Sequence, residues 1–215
     1  MKNRLMQVSI GVILSVGLLA VFGCRGAGQT VHLDVVPKSQ PAQMTDPDGV
    51  KIAIEPFEDR RADKTRFGLR THLWGGETYF NVTGGKPGDV YAQALAERLK
   101  GRAWSDRSWT VTVGPAASVP DADIVISGQI FEFTAHAKSR ILSTALSTSN
   151  KLTITARNKV DGSSTNRSLE GAQTDTVFWF SEDDVKQLVT ETIKETLDRY
   201  ISDTTISQRA LRPNR

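Results

Sequence analysis

The sequence contains few of the residues that metal proteins and disulfide-bonded proteins need. Cys24 is the only cysteine, so the chain cannot form an internal disulfide bond. The three histidines, His32, His72 and His136, are far apart, and none has a second histidine or a cysteine at the spacing of a metal-ligand pair. We therefore expect no metal site.

The sequence also lacks motifs of catalysis and nucleotide binding. It has no Gly-x-Ser-x-Gly motif, which would mark a nucleophilic serine. Residues 84–88 are rich in glycine, but their spacing is not that of a phosphate-binding loop, and Pro87 removes a backbone donor. The carboxylates of residues 58–64 lie among arginines and a lysine, which is typical of a solvated loop. We therefore expect a protein that is not an enzyme and that has no cofactor.

The mature chain has no excess of charge of either sign. The net charge of the whole sequence is +3, and removal of Lys2 and Arg4 with the N-terminal segment leaves about +1. A nearly neutral chain gives no reason to expect binding to nucleic acid.

The N-terminal segment has the pattern of an export signal. Lys2 and Arg4 precede an apolar run from residue 8 to residue 22, which is shorter than the roughly 20 residues of a membrane-spanning helix. The run ends at Gly23, a small residue of the kind found at cleavage sites. We expect residues 1–23 to be a signal peptide that is cleaved.

Residues 21–24, Val-Phe-Gly-Cys, resemble the lipobox of bacterial lipoproteins. The resemblance implies that Cys24 carries a diacylglyceryl group and an N-acyl chain, which would anchor the protein to a membrane. Arg25 stands where an aspartate tends to retain such lipoproteins at the inner membrane. The resemblance therefore implies the periplasmic face of the outer membrane.

The remainder divides into a tether, one domain and a tail. Residues 24–48 are rich in proline, glycine and polar residues, which is typical of a flexible tether. The alternation of Val31, Leu33 and Val35 leaves open a short edge strand within it. We expect residues 49–203 to form a single domain and residues 204–215 to be a solvated tail.

The periodicity of the domain predicts an α+β fold. Alternating or continuous apolar patterns predict strands in residues 50–54, 109–113, 124–133, 152–156 and 169–180. A first helix is expected from an N-cap at Asp89 to Gly101, and a second from an N-cap at Ser181 to Ile201. We expect a mixed or antiparallel sheet of about five strands with both helices packed on one face.

The long connection of residues 59–87 is the candidate binding site. It is too apolar for a simple linker, and we expect a loop with a small hairpin that turns at residues 75–76. Exposed aromatic and arginine side chains are common at binding surfaces, which makes the following residues candidates for contact with a partner: Trp74, Tyr79, Phe80, Arg66 and Arg70. The alternative is that these rings pack beneath the loop as part of the core.

The chain resembles small bacterial lipoproteins of the YajG type. The similarity lies in the lipobox at Cys24, in residues 51–54 leading into residues 59–61, and in residues 121–128 entering a long strand. The resemblance implies a non-enzymatic, lipid-anchored protein that serves an envelope assembly, transport or cell-wall complex through a protein partner. A periplasmic carrier of lipid or another small apolar ligand is the alternative.

Overall fold

The computed structural model describes residues 28–36, 49–100 and 109–214. The elements are β1 Thr30–Leu33, β2 Val50–Ile54, β3 Glu58–Asp59, β4 Gly68–Thr71, β5 Glu77–Val82, α1 Pro87–Lys100, β6 Trp109–Val113, a 3₁₀ turn Ala116–Ser118, β7 Ile124–Arg140, β8 Ser143–Asn158, β9 Ser164–Val177, α2 Glu182–Ser202, β10 Thr204–Ser207 and β11 Ala210–Pro213. Cys24 and the predicted signal peptide lie outside these residues, as do residues 24–27 and 37–48 of the expected tether and Gly101 at the expected end of the first helix.

Strand β7 organises the sheet, because it is long enough for several strands to share one of its edges. Along one edge it pairs antiparallel with β8, which pairs in turn with β9. Along the other edge β2, β3 and β4 pair with it one after another, all parallel. Ile52 lies opposite Ile124 near its start, and Gly68 lies opposite Ala135 near its end.

The prediction of about five strands was wrong. The described part of the chain forms one sheet of nine strands and a separate two-stranded sheet, β10–β11. Most of the additional strands have only two to six residues, and β1, β3, β4 and β5 lie in segments that we expected to be tether or loop. Strands β1, β3 and β4 are stabilised by pairing with strands that are distant in sequence, which local periodicity does not reveal. The predicted hairpin at residues 75–76 is confirmed as β4–β5.

Both helices pack against the same face of the sheet and contribute to one apolar core. Helix α2 begins with a capping box, because the Ser181 hydroxyl accepts the Asp184 N–H while the Asp184 carboxylate accepts the Ser181 N–H. Helix α1 begins at Pro87. Asp89, which the sequence predicted as the N-cap, therefore lies inside the first turn of the helix. Arg98 of α1 and Asp198 of α2 form an ion pair of 2.6 Å that joins the helices.

The predicted solvated tail was also wrong over residues 204–214. Strands β10 and β11 form a hairpin whose Ile206 and Leu211 side chains are buried. The Asn158 side chain accepts the Leu211 N–H and donates to the Leu211 carbonyl. Arg209 forms an ion pair of 2.8 Å with Asp123. Burial raises the pKa of Asp123, but hydrogen bonds from Arg209 and a backbone N–H outweigh this effect and hold the pKa below its ordinary value.

The short edge strand that the sequence left undecided is present as β1. β1 pairs parallel with β5, with Thr30 opposite Tyr79 and Leu33 opposite Val82. The Leu33 side chain is buried, which attaches this segment to the domain. The folded part of the chain therefore begins much closer to Cys24 than the expected tether of residues 24–48 would place it.

Candidate functional site

Three connections meet at one end of the sheet. They are the turn of residues 72–76 between β4 and β5, the turn of residues 141–142 between β7 and β8, and residues 178–181 between β9 and α2. Strand register brings them together, because Thr71 lies opposite Lys138 near the end of β7, and Thr144 at the start of β8 lies opposite Val177 at the end of β9. The meeting point therefore depends on pairing between distant parts of the chain.

These connections expose six large apolar side chains, which we call the loop-tip surface: Leu73, Trp74, Ile141, Leu142, Phe178 and Trp179. Trp74 is 93% exposed and Trp179 is 91% exposed. All except Ile141 line one open pocket of about 830 Å³, so side chains from all three connections are neighbours. Single exposed apolar residues are common on protein surfaces, but a contiguous group of them marks a site of interaction.

Three polar side chains of this pocket, those of Arg70, Ser139 and His72, interact with neighbouring side chains. The Arg70 guanidinium lies 3.8 Å from the centre of the Phe180 ring, and its Nε donates to Ser139. His72 Nε2 is 2.8 Å from the Thr78 hydroxyl oxygen. Burial and the charge of Arg70 hold the pKa of His72 below its ordinary value, so the ring is neutral at pH 7. Among the described lining residues there is no carboxylate or thiol to form a catalytic pair with it.

The chain enters the domain at this same end. The Gly28 N–H donates to the Glu77 carbonyl over 2.5 Å, and the Tyr79 N–H donates to the Gln29 carbonyl over 2.8 Å. Glu77 directly follows the turn that carries Trp74. Gly28, the described residue nearest to Cys24 in sequence, therefore lies beside the strand that follows the turn of Trp74.

The structure separates the five residues that the sequence placed in one binding loop. Trp74 belongs to the loop-tip surface, and Arg70 lines its pocket. Arg66 lies 4.4 Å from the centre of the Tyr79 ring, away from that pocket. Neighbouring residues of a strand point to opposite faces of the sheet, so Phe80 points away from the face of Tyr79 and is fully buried. Phe80 belongs to the core and cannot contact a partner in the folded protein.

Five of the six loop-tip residues were not among the candidates predicted from the sequence, although one of them, Leu73, lies in the predicted binding loop beside Trp74. Ile141 and Leu142 interrupt a polar stretch rich in serine and threonine, and such an apolar pair between two polar runs is a signal of an exposed turn. Phe178 and Trp179 fell within a predicted strand, yet β9 ends at Val177. The nearby N-cap at Ser181 indicates a connection at this point, so the two rings need not follow the alternation of the strand.

The described part of the chain has neither a group of metal ligands nor a membrane-spanning helix. Within residues 28–36, 49–100 and 109–214, no three His, Cys, Asp or Glu side chains are grouped so that they could hold a metal ion. Of the helices in this part of the chain, none is long and apolar enough to cross a membrane.

Comparison with known proteins does not show a family. No protein-family model matches the sequence, and a search of curated proteins finds no match either. The similarity to YajG-type lipoproteins therefore stays a prediction from the residues quoted above.

Several solved structures are similar to the chain at low sequence identity. Protein XCC0632 from Xanthomonas campestris is 8% identical, with 80% of this chain and 92% of that chain covered and a TM-score of 0.48. The PelC dodecamer from Paraburkholderia phytofirmans is 18% identical, with 74% and 92% covered and a TM-score of 0.37. Lipoprotein GNA1162 from Neisseria meningitidis is 12% identical, with 69% and 99% covered and a TM-score of 0.33. Sequence identities and TM-scores this low assign no function to the chain.

Proposed function

We propose that the protein is a non-enzymatic lipoprotein of the bacterial envelope, anchored by Cys24 at the periplasmic face of the outer membrane. It acts as a binding or accessory component of an envelope assembly, transport or cell-wall complex, as its resemblance to YajG-type lipoproteins implies. The observation that carries this proposal is the loop-tip surface, a group of exposed apolar side chains at the end where the chain arrives from Cys24, which suits a protein held at a membrane. Such a surface is suited to binding.

The chemistry of the pocket supports a binding role. Its titratable side chains are Arg70, Arg140 and His72, and Arg70 is occupied by the Phe180 ring and Ser139. General acid–base catalysis needs a proton donor and acceptor poised near the working pH, and hydrolysis by a covalent route needs an activated nucleophile. Ser139, Ser143 and Thr144 line the pocket as well, but the hydrogen bond of His72 Nε2 is to Thr78, and Ser139 accepts from Arg70. The described lining has no carboxylate or cysteine beside the His72 ring.

A carrier of a small apolar ligand is the second candidate, because the pocket of about 830 Å³ has a size typical of ligand sites. Large buried side chains such as Tyr91 and Tyr200 fill the space between sheet and helices, so a ligand would occupy the loop-tip pocket instead. Native mass spectrometry distinguishes the two candidates. A carrier retains a lipid in addition to the acyl chains of Cys24, whereas an accessory protein carries only those chains.

The anchor is tested by Cys24→Ala in cells supplied with a labelled fatty acid. The variant is expected to lose the label and to keep its unprocessed length, since the thiol is the site of attachment and acylation precedes cleavage. Trp74→Ala is the control, because it removes an exposed ring and leaves the lipobox intact, so it should be labelled and processed normally. Unchanged labelling of Cys24→Ala would overturn the proposal.

A further inference from the structure

The path of the chain fixes how far the loop-tip surface can lie from a membrane. Gly28 is hydrogen-bonded to Glu77, next to the turn that carries Trp74. Cys24 is four residues earlier in the sequence, and four fully extended residues span at most about 14 Å. Acyl chains on Cys24 would therefore enter the bilayer within a short distance of the loop-tip surface.

We propose that the loop-tip surface lies in the interfacial layer of a lipid bilayer, beside the acyl chains of Cys24. This inference rests on the proposed acylation and names the bilayer as the partner of the loop-tip surface. A folded protein domain is wider than the reach of the four-residue connection, so it could not be placed between this surface and the membrane without displacing the anchor.

The composition of the surface suits the boundary between lipid and water. Tryptophan is enriched at this boundary, because its ring is largely apolar while its N–H can bond to water or to headgroups. Trp74 and Trp179 are the two most exposed large apolar side chains of the described residues. Leu142 and Phe178, each 81% exposed, supply apolar surface without a polar group that would need a partner in lipid.

The charges around the surface are of both signs. Lys138, Arg140 and Arg70 lie near the ends of β7 and β4. The acidic residues Glu77, Asp175, Glu182, Asp183 and Asp184 lie near the same connections, at the start of β5, the end of β9 and the start of α2. Attraction to anionic headgroups is therefore offset by nearby carboxylates. Contact with the bilayer should depend on the apolar side chains and should not require anionic lipid.

The test uses the acylated protein on phosphatidylcholine vesicles that contain a lipid with a shallow spin label, which quenches nearby tryptophan fluorescence. The wild type should be quenched, and the double variant Trp74→Phe with Trp179→Phe should lose most of that quenching. Both side chains are more than nine-tenths exposed, so phenylalanine at these positions is expected to leave the fold unchanged. As a control, Val160→Trp in the double variant adds an exposed ring at the β8–β9 turn, at the opposite end of the sheet, and should not restore quenching.

The remaining outcomes contradict the inference in distinguishable ways. If the protein stays with the vesicles in flotation but Trp74 and Trp179 are not quenched, the surface does not contact lipid and the acylation stands. If these rings are instead protected from an aqueous quencher only at high protein concentration, a second copy covers the surface. If the protein does not float with the vesicles, the proposed anchor fails and the inference fails with it.

Discussion

Gly171 shows how closely α2 approaches the sheet. It lies opposite Asn150, and a Cβ at this position would be 2.2 Å from Thr196 Oγ1 and 2.8 Å from Asn150 Oδ1. The Thr196 hydroxyl donates to Asn150 Oδ1 over 3.0 Å, and the hydroxyls of Thr192 and Thr148 are 2.5 Å apart. Helix and sheet therefore meet here through buried polar pairs, for which a small residue leaves the necessary room.

We predict that Gly171→Ala lowers the free energy of unfolding by about 1–3 kcal/mol, because the new methyl group overlaps short, buried side chains that have no open space to move into. Urea unfolding measures the effect. Thr174→Ala, an exposed change on the same strand, is the control and should stay within about 0.5 kcal/mol of the wild type. Equal stability of the two variants would contradict the close contact of α2 with β9.

The sequence predicted the apolar residues on this face of α2, but it did not reveal Thr192 and Thr196 as part of the same buried face. Threonine is more often exposed than buried, and its burial here depends on partners in β8 that are distant in sequence. Periodicity identifies which residues can face the core. It does not identify which polar residues find a hydrogen-bond partner there.

At the scale of elements, the long helix and strands could be predicted from the sequence, and the short strands could not. Helix α2 and strands β7 and β8 are long enough to show a clear apolar period. The first half of β8 was not predicted, because its serine and threonine residues hide the alternation. Strand β3 has two residues, and β4, β10 and β11 have four each, which is too short for alternation to be distinct. Strands β3 and β4 pair with β7, which only the fold brings near, whereas β10 and β11 pair with each other and are held to the domain by the buried Ile206 and Leu211.

The C-terminal hairpin provides a test at this scale. Leu211 is fully buried, so Leu211→Ala should lower the free energy of unfolding by about 2–5 kcal/mol through lost burial and a cavity. Ser207→Ala changes an exposed residue of the same hairpin and should have little effect. Both free energies are obtained from unfolding in a chemical denaturant, monitored by circular dichroism. If Leu211→Ala is as stable as Ser207→Ala, residues 204–214 are a solvated tail after all.

At the scale of the whole molecule, the two ends of the sheet differ in chemistry. The loop-tip end exposes the six apolar side chains of the loop-tip surface. The opposite end carries ion pairs between the C-terminal hairpin, the start of β7 and the β8–β9 turn, including Arg209 with Asp123 and Arg212 with Asp161. A charged end suits water, and an apolar end suits lipid.

The sequence located one of the three connections that form the loop-tip surface. Trp74 and Arg70 were identified because aromatic and arginine residues are concentrated in residues 59–87. Their convergence with Leu142 and Trp179 follows from the register of β4 on β7 and of β8 on β9, which has no local signature in the sequence. The end at which the chain enters the domain likewise depends on the pairing of β1 with β5.

The most direct measurement of the central claim is photo-crosslinking in living cells, with a photoreactive amino acid placed in turn at Trp74, Trp179 and Val160. If the loop-tip surface lies in the bilayer, the first two positions should capture lipid, and position 160 at the opposite end should not. A discrete protein adduct at positions 74 and 179, without lipid adducts, would contradict the claim and would identify the loop-tip surface as a protein-binding site.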